Sequence, residues 1–147
     1  MMFGLARSGV LATHGHKGFP HLVPIVFGVV DDDTIVTAVD HKPKSTMNLM
    51  RLSNITKNPL VSVLVNDYCE DWSALWWARA DGTATVTDSV EERLATSLIR
   101  RYEEYSELPP HGPWITIKVS QWSGWSADTA RLHVEDERPS GGSTQLR

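Results

Sequence analysis

Positions 8–39 hold three short runs of β-forming residues separated only by tight turns. Ser-Gly-Val-Leu-Ala-Thr fills 8–13, Pro-His-Leu-Val-Pro-Ile-Val-Phe-Gly-Val-Val fills 20–30, and Thr-Ile-Val-Thr-Ala-Val fills 34–39. The links are a polar stretch with Gly15 and Gly18, then Asp31-Asp32-Asp33. Both are hairpin-sized. Parallel neighbours would need a crossover of about a dozen residues or more, so this part of the chain folds as antiparallel hairpins. Pro24 falls inside the second run. Proline donates nothing to a ladder, so this point marks an edge, a bulge or the approach of a ligand.

The period then changes. Met47, Leu49, Met50, Leu52 and Ile55 share one face of a short helix, with Ser45 or Thr46 as its N-cap and Asn58-Pro59 as its stop. Residues 60–65, Leu-Val-Ser-Val-Leu-Val, read as a nearly continuous apolar, central strand. An acidic turn over 66–73 leads into a long strand over 74–87, with a bulge or kink expected at Asp81-Gly82. Val90, Leu94, Leu98, Ile99, Tyr102 and Tyr105 predict a second, longer helix that Pro109-Pro110 ends. The run 114–122 alternates as a last strand, closed by Gly124-Trp125. The expected fold is mainly β with two helices: a six-stranded antiparallel barrel over residues 1–127. A polar, flexible C-terminal tail over 128–147 follows.

Composition narrows the function classes. In 147 residues, 41% are hydrophobic and 22% charged, which suits one globular domain. The net charge of −4 argues against a nucleic-acid binder. No apolar run approaches the roughly 20 residues of a membrane helix, and the first residues lack the order of a secretion signal, so the expected compartment is the cytoplasm. The single cysteine, Cys69, allows no internal disulfide, and its acidic neighbours disfavour a thiolate nucleophile.

Two segments carry candidate chemistry. Lys42, Pro43, Lys44, Ser45 and Thr46 lie where a strand stops and a helix starts. Free backbone N–H groups and two ammonium ions suit a phosphate or carboxylate; the same residues also make a solvated, capped loop. Trp76 and Trp77 are adjacent on a strand and so point to opposite faces. One of them beside Arg79 suits a planar, anionic heterocycle, although plain core and interface packing is the commoner reason for such tryptophans. His14, His16 and His21 lack a completing acidic or thiolate ligand, so no metal site is expected. The sequence contains no Gly-x-Gly-x-x-Gly, no Walker-type loop, no Gly-x-Ser-x-Gly elbow and no evident general base. The catalytic residues are unknown at this level, which fits chemistry supplied by a cofactor.

Taken together, several strings resemble a known family: Ala38-Val39-Asp40-His41-Lys42-Pro43-Lys44, Asn54-Ile55, Asn58-Pro59, Glu70-Asp71-Trp72, Leu75-Trp76-Trp77 and Arg79-Ala80-Asp81-Gly82. They look like the deazaflavin-dependent oxidoreductases, a largely actinobacterial group within the pyridoxamine 5'-phosphate oxidase-like split-barrel superfamily. The resemblance covers residues 8–125. It implies an FMN-binding-type split barrel, a homodimer, and a cofactor groove at the dimer interface. It implies coenzyme F420 as cofactor, with FMN or FAD as the alternative, and a small conjugated or heterocyclic acceptor. Lys42, Pro43, Lys44, Ser45, Thr46 and Asn48 match the segment that grips the phosphate side chain. Val23, Pro24 and Ile25 would back the ring, and Trp77 and Arg79 would border the groove. Ser45 stands where the family often has a further basic residue. A non-catalytic cofactor or haem carrier on the same barrel is the other implied class, with His21, His41 or His111 as axial ligand.

Overall fold

A computed structural model describes residues 2–39 and 46–128, with side chains of the first helix from Met50 onward. Seven strands form one antiparallel sheet: β1 (Gly9–His14), β2 (Pro20–Ile25), β3 (Gly28–Val30), β4 (Thr34–Ala38), β5 (Leu60–Asp67), β6 (Trp76–Thr87) and β7 (Trp114–Ser126). Their order is β2-β1-β5-β6-β7-β4-β3. Three helices accompany them: α1 (Thr46–Lys57), α2 (Glu92–Ile99) and α3 (Glu103–Glu107). The expected six strands and two helices are therefore corrected to seven and three among the described residues.

Both corrections have one physical origin. The run 20–30 breaks at Val26-Phe27, because β2 and β3 occupy opposite ends of the strand order. A flat sheet would hold its outermost strands roughly 29 Å apart. The link from Ile25 to Gly28 reaches at most about 11 Å. The sheet therefore rolls until its two ends meet at this corner. Tyr102 fastens it. The Phe27 N–H donates to the Tyr102 hydroxyl at 3.2 Å. That hydroxyl's proton is shared between the carbonyls of Arg7 at 2.9 Å and Phe27 at 3.1 Å. Thr37 adds a hydroxyl bond to the Val26 carbonyl at 2.7 Å. To reach the corner, Tyr102 takes an extended backbone (φ −127°, ψ 124°), which splits the predicted long helix into α2 and α3.

Inside the roll lie Phe3, Leu11, Phe27, Ile35, Val63, Ile115 and Ile117, all fully buried. Phe3 packs on Phe27 and edge-on against Trp122, with centroids 5.1 and 4.9 Å away. A second core lies outside the sheet, where Leu94, Leu98, Tyr102 and Tyr105 cover Val36, Ala38 and Trp114. Gly28 allows this contact: a Cβ there would stand 2.7 Å from Ser97 Oγ and 3.0 Å from its backbone carbon. α1 is tied to the first hairpin by a buried bond, in which Asn54 Nδ2 donates to Thr13 Oγ1 at 3.0 Å. Among the described residues no helix is long and apolar enough to cross a membrane.

Candidate functional site

β6 builds the site. Trp76 points inward and is buried in the main core, while Trp77 is half-buried on the outer face. Directly opposite Trp77 on β7 stands Trp125, also half-buried. Paired residues share a face and hold their Cβ atoms about 5 Å apart, so two indoles form a shelf on the outside of the sheet. Arg79 is next along that face, followed by Asp81. Gly124, beside Trp125, lets the strands close up, since a Cβ there would lie 3.0 Å from the Trp77 carbonyl.

The polar groups of this face are mutually held. The β6–β7 register slips by one residue between Asp81 and Gly82, where the sequence predicts a bulge, with Ser120 of β7 as the extra residue. Gly82 is required there, because a Cβ would fall 2.4 Å from the Lys118 carbonyl. Ser120 Oγ donates to the Asp81 carbonyl at 3.0 Å. The Asp81 carboxylate accepts from Ser62 Oγ at 2.5 Å on one oxygen. Its other oxygen accepts from Arg79 Nε at 3.2 Å and pairs with Arg79 Nη2 at 3.1 Å. The Arg79 side chain is 44% exposed, and its Nη1 meets no acceptor among the described residues. Ser62, Asp81 and Gly82 continue into a cleft of about 400 Å³ whose other walls include Thr13, His14, Phe19, Pro20 and Leu60.

Across β2, β1 and β5 the outer face is largely apolar. One register row reads Pro24, Val10, Leu64, Arg79, Ser123 across β2, β1, β5, β6 and β7. Leu22, Leu60, Leu64 and Phe19 are exposed around it. The central strand over 60–65 is thus internal in the sheet, and among the described residues only its inner side is covered.

The sequence-derived candidates fall into three groups. Trp77 and Arg79 are brought together. Pro24 presents its side chain on the same face from the end strand β2, while Val23 and Ile25 turn into the core, so only their backbone faces outward. Lys42, Pro43, Lys44 and Ser45 lie outside the described residues, as do the side chains of Thr46 and Asn48 and the tail from 129 onward. Sequence reasoning passed over Trp125, Ser62 and the carboxylate of Asp81 as site residues. The Asp81-Gly82 bulge was a visible signal for the last, but facing Trp77 with Trp125 needs the β6–β7 register.

The acidic turn before β6 is locally ordered. Ser73 donates to the Asp71 carboxylate through Oγ at 2.6 Å and through its backbone N–H at 3.0 Å. These bonds hold the Asp71 carboxyl below its ordinary value of 3.8. Among the described residues no three His, Cys, Asp or Glu side chains gather as a metal site. Both ring nitrogens of His21 are buried on the inner face of β2 and meet no hydrogen-bond partner among the described residues. His111 is exposed, and His41 lies outside the described residues.

Residues 3–126 match the model of the family described as pyridoxamine 5'-phosphate oxidase. The chain belongs to this family. Comparison with curated proteins gives no significant match. Among solved structures, a conserved hypothetical protein from Mycobacterium tuberculosis is similar at TM-score 0.66 and 22% identity, covering 96% of this chain and 88% of that one. An FAD-binding protein from Mesorhizobium loti matches at TM-score 0.60 and 20% identity, over 83% of this chain and 85% of that one. A heme-binding protein from Mycobacterium smegmatis matches at TM-score 0.56 and 14% identity, over 85% of this chain and 55% of that one. At these identities the likenesses establish the shared barrel, and the family's fold is compatible with more than one kind of ligand.

Proposed function

We propose that this chain is an oxidoreductase that binds coenzyme F420, with FMN or FAD as the alternative, and passes a hydride to a small conjugated or heterocyclic acceptor. The observation that carries this reading is the Trp77–Trp125 shelf with, beside it, the Arg79 edge that meets no acceptor among the described residues. Indole faces stack on a flat heterocycle, and a guanidinium edge donates to its anionic substituents. When bound, the reduced deazaflavin supplies the hydride; the protein's part is to hold and orient the ring and keep the acceptor against it. Lys42 and Lys44, with Ser45, Thr46 and Asn48 at the start of α1, are assigned to the phosphate-bearing side chain by the sequence resemblance. An FAD-binding neighbour with the same barrel supports a flavin-type ligand.

The same reading makes the protein a homodimer. Pro24 and Arg79 share one register row but lie three strands apart, about 14 Å on one chain. A second copy can bring an edge strand against the aromatic shelf, and the exposed Leu22, Leu60 and Leu64 give it an apolar surface to bury.

Titration with oxidised F420, FMN and FAD, followed by tryptophan fluorescence, tests the proposal. Saturable quenching is expected, lost in Trp77→Ala and weakened about tenfold or more in Lys42→Ala and Lys44→Ala. Absence of binding to all three cofactors would overturn it, and a Soret band on adding haem would assign the barrel to the carrier class instead.

A further inference from the structure

We propose that Asp81, held by Ser62, is a positioning residue that sets Arg79 for the ligand on the tryptophan shelf; this rests on the function proposed above. Arginine carries five N–H donors in a rigid fork. Here the Nε and Nη2 side of that fork is occupied by one oxygen of Asp81. The remaining Nη1 donors meet no acceptor among the described residues. Arg79 is two residues from Trp77 on the same face, so the shelf lies within reach of those donors.

Asp81 is itself fixed from three directions. Ser62, its register partner on β5, donates to one carboxylate oxygen. Ser120 on β7 donates to its carbonyl. The bulge at Asp81-Gly82 fixes the local twist, and the glycine that permits it admits no side chain. A lone arginine at 44% exposure would sample many rotamers, and ordering it on binding would cost affinity. The Ser62–Asp81–Arg79 chain meets that cost before the ligand arrives.

A contrary effect is also built in. The Asp81 carboxylate lies near whatever anionic group Arg79 receives, and simple charge repulsion would oppose binding. The two effects predict opposite signs for its removal, which makes the inference decidable. F420 and FMN are each titrated into wild type, Ser62→Ala, Asp81→Asn, Asp81→Ala, Arg79→Ala, Arg79→Lys and the Arg79→Ala/Asp81→Ala double variant. Circular dichroism and thermal melting check that each variant is folded.

Positioning predicts that Asp81→Ala weakens binding about tenfold and Ser62→Ala about threefold. Asp81→Asn, which keeps an acceptor, recovers part of the loss. Arg79→Lys falls with Arg79→Ala, because a lysine cannot present the fork. The double variant binds no worse than Arg79→Ala, since Asp81 acts only through Arg79. Tighter binding in Asp81→Ala, or losses that multiply in the double variant, would overturn the inference while leaving the site standing. If folded Arg79→Ala binds like wild type, the proposed ligand site itself is wrong and the positioning role falls with it.

Discussion

β4 and β5 are both internal strands of one sheet and both are rich in apolar residues, yet they end up differently. All five residues of β4 are buried. Ile35 faces the main core, while Val36 and Ala38 face the second core under α2. β5 alternates: Val61, Val63 and Val65 are buried, but Leu60 and Leu64 on the other face are 57% and 41% exposed. The difference is coverage. The chain supplies a helix for the outer face of β3 and β4, and nothing comparable among the described residues for β2, β1 and β5. One side of the barrel completes its packing within a single chain. The other side keeps apolar surface, an arginine edge and two indoles facing outward.

The largest test of that contrast is a pair of truncations. Leu98, on the inward face of α2, is fully buried, so Leu98→Ala should destabilise by about 2–5 kcal/mol in denaturant unfolding. Leu64→Ala, on the uncovered side, should cost under about 1 kcal/mol at low protein concentration. Equal costs at all concentrations would mean that Leu64 is covered by its own chain, and the contrast would fail. A cost for Leu64→Ala that grows with protein concentration would place its partner in a second molecule.

Tyr102→Phe comes next. It removes the hydroxyl that closes the corner and leaves the buried Phe27 N–H without its acceptor. A loss of about 1–3 kcal/mol is expected. Because the corner joins the covered and uncovered halves, amide exchange should quicken at Phe27 and at the Val26–Thr37 contact before it does in β5 or β6. Uniform acceleration instead would show that the corner is no separate element.

These elements also show how much the sequence revealed. The hairpins, the helix stop at Asn58-Pro59 and the bulge at Asp81-Gly82 were legible, because each depends on local backbone chemistry. So was the opposition of Trp76 and Trp77, which follows from the strand period. The break at Val26-Phe27 was not. Pro24 and Gly28 flank it, but neither fixes that the strand must end there; the break follows from two sheet ends that must meet and from a tyrosine 75 positions away. The split of the second helix at Tyr102 has the same distant cause. In the site, Arg79 and Trp77 could be found from one strand, while Ser62 and Trp125 needed the register on either side of it. The basic segment Lys42–Ser45 remains a sequence argument.

If the uncovered face meets a second copy, a charge placed on it should act on assembly and spare the fold. Leu64→Glu should change monomer stability by no more than about 0.5 kcal/mol. In sedimentation, it should shift the particle from twice the 16.4 kDa chain mass to that mass. Wild type already sedimenting as a single chain would leave the face to some other partner.

The smallest expected effect compares one carboxylate from each side. Asp33, in the turn between β3 and β4, and Asp71, before β6, both titrate below the ordinary 3.8, but for different reasons. A bond from the Lys118 ammonium is the main cause for Asp33, with Thr34 adding a second. Ser73 alone, through hydroxyl and backbone, lowers Asp71. A carboxylate depressed in the folded state adds stability above its unfolded pKa, and that contribution is lost as pH falls through the folded value. Both contributions therefore vanish in acid, below pH 3.8. Salt separates them. Added salt screens an exposed ion pair but hardly affects a bond from a neutral hydroxyl. Carboxyl titration by NMR at low and high ionic strength should move Asp33 back toward 3.8 and leave Asp71 in place. Asp71 moving as far as Asp33 would mean that a charge outside its own turn reaches it, and that the uncovered side is electrostatically less self-contained than its hydrogen bonds indicate.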